Sequence, residues 1–585
     1  MEKEKRTMNI IGDNIISGLG FTTAENYEAV KAGTSGLQPR NLWNLPEPFV
    51  ASLIDREKLQ DIFFTIKHSF SKLYTPFEQA LILSVQEANR EADLDLATPD
   101  VLFIVSTTKG NVHLLDENEN GFDKKHLYLW YSAKLVARFF GNPNTPIVVS
   151  NACISGGCAQ IAAQRLLQSG QYKHVVVVGA DMLCRFIVSG FQSFKALSPE
   201  RCKPFDKGHC GLNLGEAAAT IIYSTINSKH SHNAIRFVDG KICNDANHIS
   251  APSRTGEGSF IAINQLITKY SLLENQISFI NAHGTATPYN DDMETAAIAR
   301  SGLTAVPVNS LKGCFGHTLG AAGILESIIS AKALQEGIAL ASQGCGQSND
   351  NQLNIPYKNI SRHQRYAIKM QSGFGGTNAV LLFENSSLAG HTLSEKTSMP
   401  MKIDFFNKLY ITNHCKITGS LTDLFRGLKI DYPKFFKMDN LSKVGFLAAE
   451  MLLQNHPCKN ETAIICFTSA ASLNTDKAFQ KTIQYDEDFF PSPSLFVYTL
   501  PNVVNGEIAI RHGCKTETSC YVSEKTDTKM IIDLVNQTFN HTTNVKQAVV
   551  GWFNNDESCE AIMMLVEKEG DELLTEEHIK MIINK

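Results

Sequence analysis

Short apolar runs alternate with amphipathic segments from the start of the chain to about residue 385, and this alternation most constrains the fold. Four runs predict strands buried on both faces: VLFIVSTT (101–108), PIVVSN (146–151), HVVVVGA (174–180) and AATIIYS (218–224). The segment SGGCAQIAAQRLLQSG (155–170) has apolar residues at helical spacing and ends at Gly170, a residue type that commonly stops helices. The pattern predicts a layered α/β fold.

The length of the chain predicts more than one folding unit. With 585 residues, it exceeds the length over which one hydrophobic core usually grows. A second series of strand and helix segments covers about 234–384 and closes with NAVLLF (378–383). The segment SSLAGHTLSEKTSMP (386–400) is small and polar, ends in proline, and predicts a linker.

The part after the predicted linker is similar to an earlier part of the chain. The matching pairs are AIICFTSAASL (463–473) with LFIVSTTKGNV (102–112), LPNVVNGEIAIRHG (500–513) with SAKLVARFFG (132–141), and AVVGWFN (548–554) with VVVGADM (176–182). Chance similarity between buried segments explains any single pair. Three pairs in the same order predict a partial internal duplicate.

Composition argues against several classes of protein. The formal net charge is -5, so there is no overall basic field to attract nucleic acid or an anionic membrane. No stretch approaches the roughly 20 apolar residues of a spanning helix, and the first residues lack the apolar core of a signal peptide. Fourteen cysteines without a C-x-x-C pattern predict free thiols. These features predict a soluble, cytoplasmic protein.

Cys153 is the first candidate for chemistry, in VVSNACISGG, where a predicted strand runs directly into a helix. Its sulfur would lie beside the helix N-terminus, where free N–H groups and the macrodipole favour thiolate, the form that attacks. Backbone N–H groups of such a turn can also face a developing oxyanion. From this segment alone, a buried core thiol is the better interpretation.

A histidine and two threonines follow the apolar strand ISFI (277–280), within NAHGTATPYNDDME. His283 lies at the strand end, and Thr285 and Thr287 offer hydroxyl groups at alternating positions, suitable for hydrogen bonds to a ligand. A single histidine is more often a core residue than a catalyst. In this glycine- and threonine-rich segment the two interpretations are about balanced.

Two glycine-rich segments hold the remaining candidate residues for chemistry. VNSLKGCFGHTLGAAGILESI (308–328) holds Lys312 and His317 in a broken loop, and Glu326 on the helix that follows. Taken alone, Glu326 is best interpreted as a helix carboxylate exposed to water. SGFGGTNAVLLF (372–383) is a turn that enters a strand; it lacks the strand–loop–helix order of a phosphate-binding loop, so a nucleotide site is not expected.

These four segments, in this order, resemble the elongating β-ketoacyl-acyl-carrier-protein synthases of the thiolase-like superfamily. Three further segments match: IIGDNIISGLGFTTAENYEAVKAGTSGL (10–37), GFQSFKALSPERCKPFDKGHCGLNLGEAA (190–218) and NDANHISAPSRTGEG (244–258). The resemblance covers residues 8–385. It implies the thiolase-like fold, with two duplicated βαβαβαββ halves, 8–230 and 231–385, in α-β-α-β-α layers.

The resemblance also implies a catalytic triad of Cys153, His283 and His317. Initiating synthases of the superfamily typically have asparagine at the position of His317, so this chain is expected to elongate. Lys312 and Glu326 match the supporting lysine and glutamate of the family.

Phe374, in SGFGG, matches the gating phenylalanine, whose backbone N–H joins that of Cys153 in the oxyanion hole. Thr285 and Thr287 match the threonines that bond the phosphopantetheine arm of the carrier protein. The implied reaction is a decarboxylative Claisen condensation, in which malonyl-carrier protein extends an acyl group held on Cys153. Malonyl decarboxylation supplies the driving force, so no metal or redox cofactor is expected.

The family resemblance further implies an acyl carrier protein as partner and a homodimer as the assembly. One departure stands within KPFDKGHCGLNLGE. The family commonly has arginine at the position of His209 and phenylalanine at that of Leu212. This departure puts carrier docking or pocket shape in doubt more than the chemistry.

The second unit lacks a nucleophile. If Gly513 aligns with Gly141, the residue equivalent to Cys153 is Lys525, and no equivalent of the two histidines follows. Residues 401–585 are therefore predicted to be a silent, truncated synthase-like α/β domain, similar to the β-ketoacyl synthase N-terminal-like domains of bacterial aryl polyene clusters. Packing, chain-length control and partner docking stay open as its role, as does a fragment that only stabilises the first unit.

Two other classes of protein are less consistent with the sequence than an elongating synthase. A non-catalytic partner that resembles a chain-length factor usually lacks the cysteine, whereas Cys153, His283, His317 and Lys312 are all present. A thiolase that uses coenzyme A thioesters typically has a second cysteine late in the chain, and SGFGGTN offers none. The sequence therefore favours the condensing enzyme.

Overall fold

The computed structural model describes residues 7–66, 73–119, 121–226, 234–346, 352–388, 408–454, 461–542 and 544–584. All but the first three residues of the predicted linker, 386–400, lie outside these ranges.

The strands up to residue 385 are β1 (Met8–Ser17), β2 (Gln38–Arg40), β3 (Phe49–Ser52), β4 (Val101–Ser106), β5 (Ile147–Val149), β6 (His174–Asp181), β7 (Leu214–Gly215), β8 (Ala217–Ser224), β9 (Ile235–Asn244), β10 (Ile277–Asn281), β11 (Val308–Asn309), β12 (Ile338–Ala339), β13 (Ile360–Ser361), β14 (Tyr366–Gly373) and β15 (Thr377–Asn385). The later strands are β16 (Tyr410–Ile417), β17 (Thr462–Thr468), β18 (Thr518–Val522), β19 (Gln547–Asn555) and β20 (Cys559–Glu567).

The helices of the first part are α1 (Thr23–Lys31), α2 (Arg56–Ile66), α3 (Pro76–Ala92), α4 (Leu129–Phe139), α5 (Ser155–Ser169), α6 (Arg185–Ser193), α7 (Glu257–Tyr270), α8 (Pro288–Arg300), α9 (Lys312–Phe315) and α10 (Ala322–Glu336). Those of the second part are α11 (Leu421–Leu428), α12 (Asn440–Leu453), α13 (Leu473–Lys481), α14 (Pro493–Tyr498), α15 (Val503–His512), α16 (Thr528–His541) and α17 (Glu576–Asn584).

The four predicted apolar strands are confirmed as β4, β5, β6 and β8, each buried along nearly its whole length. Helix α5 is confirmed as well. It ends at Gly170, whose φ of 84° lies in the left-handed region that glycine adopts without strain.

The first part has five layers, as the thiolase-like fold requires. Helix α3 packs on the outer face of β1, β8 and β6, while α7 covers β9 and β15 on the opposite side. Helices α5 and α10 lie between the two groups of strands, because α5 contacts both β6 and β9 and α10 contacts both β8 and β14. Both central helices are buried almost all round, which explains why neither has a polar face.

The order of the strands is repeated across one junction in the main sheet. From the junction outward, the first part runs β5-β4-β6-β8-β1 and the second part runs β18-β17-β19-β20-β16. In both series the first three strands are parallel and the next two pair in antiparallel fashion. The matched sequence segments fall on β4 and β17, on α4 and α15, and on β6 and β19.

Strands β5 and β18 pair antiparallel at the junction, with Val149 opposite Tyr521. Apolar side chains of both parts, among them Ile154 and Val535, belong to one buried cluster. Since the parts share a sheet and a core, they form one continuous structure.

Buried ion pairs also cross the junction. Arg165 on α5 bonds Glu517 twice, at 2.7 and 2.9 Å, and both side chains are almost inaccessible to water. Lys109 donates from Nζ to Asp476 at 2.8 Å, again with both groups largely buried. Charges removed from water in this way need their partners, so the two parts depend on each other. Within the described ranges, no helix combines the length and the apolar character needed to cross a bilayer.

Candidate active site

Cys153 lies on a tight turn between β5 and α5. Ala152, just before it, has a φ of 50°, a left-handed conformation that is strained for a residue with a side chain. The Ser155 hydroxyl holds the turn: it accepts from the Asn151 N–H at 2.7 Å and donates to the Ala152 carbonyl at 2.6 Å. The left-handed conformation of Ala152 thus places backbone strain directly beside Cys153, as is common at functional turns.

The protonation state of Cys153 differs from the sequence-based expectation. The position beside a helix N-terminus predicted a thiolate. In the structure, burial raises the pKa of the Cys153 thiol to about 12, and the positive charge of Lys312 opposes this rise only in part. The prediction of a thiolate was wrong because desolvation by distant elements outweighs the local helix terminus. The resting group is a thiol.

His283 and His317 lie against each other, although 34 positions separate them in the chain. Their ring centroids are 5.0 Å apart and the rings are nearly perpendicular, at 87°. The Leu319 N–H donates to Nδ1 of His317 at 3.3 Å. Because that nitrogen accepts, the proton of the neutral ring must be on Nε2.

Glu294 anchors the loop that carries His283. Its carboxylate accepts the N–H groups of His283 and Gly284, each at 2.7 Å. Asp291, one turn earlier on α8, accepts the N–H groups of Phe205 and Ala286. These carboxylates satisfy backbone donors of the loop and so fix the position of His283.

Lys312 links the three groups of the implied triad electrostatically. Burial lowers the pKa of His283 well below its usual range, and the charge of Lys312 lowers it further. The same two causes, in the same order, lower the pKa of His317. Lys312 also acts on Cys153. One ammonium thus lies close enough to influence a thiol and two imidazoles from three distant parts of the chain.

Glu326 is buried between two lysines. Oε1 accepts from Lys312 at 2.8 Å and Oε2 pairs with Lys369 at 2.6 Å. Burial acts to raise the pKa of Glu326, but the two ammonium groups outweigh it and the pKa lies below its usual range. The interpretation of Glu326 as an exposed helix carboxylate is wrong, since its side chain is 3% exposed.

Sequence reasoning missed Lys369. It lies in β14, also donates to the Met370 carbonyl at 2.6 Å, and its pKa falls to about 8 because burial disfavours the charge. A single lysine inside an apolar strand was the available signal, because a charge in that position is rarely buried without a partner.

The glycine-rich turn that carries Phe374 lies against the nucleophile. A Cβ placed on Gly373 would be 3.2 Å from the backbone nitrogen of Cys153. The Phe374 ring packs edge-on against Phe194, with centroids 5.7 Å apart. The turn is held on two sides: the Gly375 N–H donates to the Ile249 carbonyl at 2.6 Å, and Asn244 donates to the Gly375 carbonyl at 2.8 Å.

The four other positions that the sequence singled out each make a local contact: Thr285, Thr287, His209 and Leu212. Thr285 and Thr287 bond each other through their hydroxyl groups at 2.8 Å. His209 is partly exposed and its Nδ1 lies 2.6 Å from the Asp206 carbonyl. Leu212 is buried in an apolar cluster with Phe186.

We expect the protein to lose stability as the pH falls below about 6.5. The unfolded chain protonates its histidines near that pH, whereas His283 and His317 stay neutral in the native state because their pKa values are lowered. The unfolded state then binds more protons, so each histidine costs about 1.4 kcal/mol of unfolding free energy per pH unit. Urea unfolding between pH 7.5 and 5.5 measures this slope. A double variant, His283→Gln with His317→Gln, should show a smaller slope; an unchanged slope would contradict the assignment.

Comparison with known proteins identifies the family. Residues 6–225 match the family described as beta-ketoacyl synthase, N-terminal domain, and residues 237–345 match beta-ketoacyl synthase, C-terminal domain. A putative mitochondrial 3-oxoacyl-acyl-carrier-protein synthase of Schizosaccharomyces pombe is 28% identical over 417 residues, 63% of this chain and 92% of that protein. The 3-oxoacyl-acyl-carrier-protein synthase 2 of Rhizobium meliloti is 31% identical over 256 residues, 41% of this chain and 60% of that protein.

Solved structures show the same fold. The PfaC keto synthase-chain length factor has a TM-score of 0.76 at 13% identity and covers 96% of this chain and 78% of its own. The ishigamide ketosynthase/chain length factor has a TM-score of 0.58 at 23% identity and covers 65% of this chain and 100% of its own. The first match includes the second part of the chain, which the two family matches do not reach.

The layered fold and the similarity to known synthases define a condensing enzyme of the thiolase-like class. The two family matches together cover more than half of the chain, and the chain belongs to the β-ketoacyl synthase family. It is an acyltransferase of the condensing type.

Proposed function

We propose that the chain extends an acyl group, carried on the phosphopantetheine arm of an acyl carrier protein, by one two-carbon unit. Cys153 attacks the acyl thioester, the carrier thiol leaves with the cysteine proton, and an acyl-enzyme remains. The N–H groups of Cys153 and Phe374 receive the tetrahedral oxyanion. The close approach of Gly373 to the Cys153 nitrogen supports this pairing, because Phe374 directly follows Gly373 in the chain.

The two histidines serve the second half of the reaction. Malonyl-carrier protein loses carbon dioxide and leaves an enolate, whose oxygen needs hydrogen-bond donors. His317 offers Nε2–H, since its Nδ1 is occupied by the Leu319 N–H. The enolate carbon then attacks the acyl thioester, and the Cys153 sulfur leaves as a thiolate that takes up a proton from water to restore the thiol. Lowered pKa values keep both rings neutral at physiological pH, so they donate hydrogen bonds without transferring a proton to the carbon.

Lys312, Glu326 and Lys369 support the histidines. The carboxylate between two ammonium groups leaves a net positive charge beside the rings. That charge disfavours imidazolium and favours the developing anion. Thr285 and Thr287 are the groups we assign to the phosphopantetheine arm, because their paired hydroxyls lie two and four residues after His283. No metal or redox cofactor is needed, and the cytoplasmic location stays a prediction.

Residues 401–585 act, in this proposal, as a silent synthase-like domain in the place of a second subunit. The repeated strand order and the antiparallel β5–β18 pair support it. Four residues after Val149 stands Cys153, whereas four residues after its partner Tyr521 stands Lys525. The similarity in fold to a keto synthase-chain length factor agrees with this arrangement. Because β18 already pairs with β5, the predicted homodimer would have to use another surface.

The observation that carries the proposal is the perpendicular pair of neutral histidines beside Lys312. The test mixes purified protein with acyl-carrier protein and malonyl-carrier protein and follows intact masses. We expect a product longer by two carbons. In His317→Ala we expect elongation to fall by about 100- to 1000-fold, because one enolate donor is lost, while acylation of Cys153 persists. Wild-type elongation in His317→Ala would overturn the role of this histidine.

A further inference from the structure

The C-terminal part of the chain directly contacts the glycine-rich turn that carries Phe374. Asn502, immediately before α15, donates from Nδ2 to the carbonyl oxygen of Phe374 at 2.8 Å. One turn later, a Cβ on Gly506 would lie 2.7 Å from the Gly375 carbonyl oxygen and 2.8 Å from its Cα. Contacts this short leave no room for a side chain. The start of α15 therefore packs backbone to backbone against the turn.

Asn502 helps to fix the peptide group between Phe374 and Gly375, which is hydrogen-bonded at both its oxygen and its nitrogen. Its amide bonds the Phe374 carbonyl, while the N–H of the same peptide, that of Gly375, bonds the Ile249 carbonyl at 2.6 Å. Because a peptide group is planar, fixing its oxygen and its nitrogen fixes its orientation. On the other side of Phe374, Gly373 abuts the Cys153 nitrogen. The Phe374 N–H thus lies between two fixed points.

An aromatic contact reinforces the same link. The Phe374 ring packs on Phe194, whose ring lies 6.1 Å from that of Phe496 on α14. Phe496 belongs to the C-terminal part, as Asn502 does. The ring of Phe374 and its carbonyl therefore both depend on elements beyond residue 490.

The side chain of Asn502 is poorly explained by stability alone. It is 2% exposed, and its Oδ1 has no hydrogen-bond partner among the residues that the structure describes. An unpaired buried oxygen is unfavourable, and an apolar residue would avoid it. In the alignment of Gly513 with Gly141, the equivalent position in the first part is Trp130. The amide donor is therefore present just before α15, which packs against the turn beside Cys153, and absent from the equivalent position on α4.

We propose that Asn502 is a positioning residue of the condensing site, through which the silent C-terminal part fixes Phe374 so that its N–H faces the oxyanion on Cys153. The inference rests on the proposed role of Phe374. Acylation of Cys153 and condensation both pass through that oxyanion. Malonyl decarboxylation instead places its charge near His283 and His317. Loss of the Asn502 contact should therefore slow the first two steps and spare the third.

The experiment measures three rates in the full-length chain: acylation of Cys153 from acyl-carrier protein, elongation, and release of carbon dioxide from malonyl-carrier protein alone. Asn502→Ala removes the donor, and Asn502→Asp keeps the shape but places an acceptor against the Phe374 carbonyl. Gly506→Ala pushes on Gly375 from an independent position. The matched control is Asn505→Ala: Asn505 is 1% exposed, and its amide donates to the Ser519 carbonyl at 3.0 Å, within the C-terminal part.

We expect Asn502→Ala, Asn502→Asp and Gly506→Ala to lower acylation and elongation by about 10- to 100-fold, with carbon dioxide release within about twofold of wild type. Asn505→Ala should keep all three rates within about twofold while losing a similar buried hydrogen bond. Wild-type acylation in folded Asn502→Asp and Gly506→Ala, or an equal fall of all three rates, would overturn the inference. A wild-type chain that never acylates Cys153 would instead refute the proposed function.

Discussion

Replacing Cys153 with alanine is expected to lower elongation by about four orders of magnitude or more, since loss of a covalent nucleophile removes the acyl-enzyme route entirely. The strained turn at Ala152 and the Ser155 hydroxyl bonds do not involve the sulfur, so the fold should survive. Release of carbon dioxide from malonyl-carrier protein should persist, because the two histidines keep their places. Elongation is followed by product mass, and the fold by thermal unfolding.

Cys158→Ala is the matched control for this variant. Cys158 lies on α5, the helix that follows Cys153; it is buried, and burial raises its pKa to about 12, as for Cys153. A thiol that matters only for packing should behave alike at the two positions. We expect Cys158→Ala to elongate within a few-fold of wild type, and equal losses in the two variants would refute Cys153 as the nucleophile.

Arg165→Ala is expected to destabilise the whole chain by about 3–5 kcal/mol, because it leaves the Glu517 carboxylate buried without its countercharge. The pair joins α5, which begins beside Cys153, to the C-terminal part, and both side chains are almost fully buried. Glu517 would keep hydrogen bonds from the hydroxyls of Ser519, Thr538 and Thr542, which are neutral donors. The free energy of unfolding, from urea denaturation, measures the effect.

Two comparisons separate this effect from a general loss of contacts. The double variant Arg165→Met with Glu517→Leu removes both charges and should be closer to wild type than the single variant. Lys173→Ala breaks an ion pair with Asp100 in which both side chains are about half exposed, and should change stability by about 0.5 kcal/mol or less. Equal effects of Arg165→Ala and Lys173→Ala would show that the junction is not held by buried charge.

Local sequence patterns predicted the strands and helices whose formation depends on residues that are close together in the chain. The apolar runs gave β4 and β6, and the helical spacing before Gly170 gave α5. The resemblance supplied the layer order. The pairing of β5 with β18 could not be predicted, because strand partners such as Val149 and Tyr521, 372 positions apart, leave no trace in the periodicity of either strand. The similar segments indicated a duplicate, but not where it packs.

The site residues likewise divide into those that the sequence predicted and those that only the structure reveals. The resemblance named the cysteine, the histidines and Lys312. The structure places the two histidines in contact and Lys312 within electrostatic range of both and of Cys153. Lys369 was missed because its ion pair with Glu326 joins a strand to a helix 43 positions away. The thiolate prediction failed for the same reason: elements distant in sequence bury the sulfur, and no local segment reveals that. Asn502 was missed because it lies in the part without a nucleophile.

The most direct test of the account maps the acyl group in the wild-type chain. The protein is mixed with acyl-carrier protein alone, digested, and its fourteen cysteines are examined by peptide mass. The account predicts an acyl adduct on Cys153 and on no other cysteine, and its disappearance when malonyl-carrier protein is added, in step with a product two carbons longer. An adduct on a different cysteine, or an elongated product formed while Cys153 stays unmodified, would contradict it.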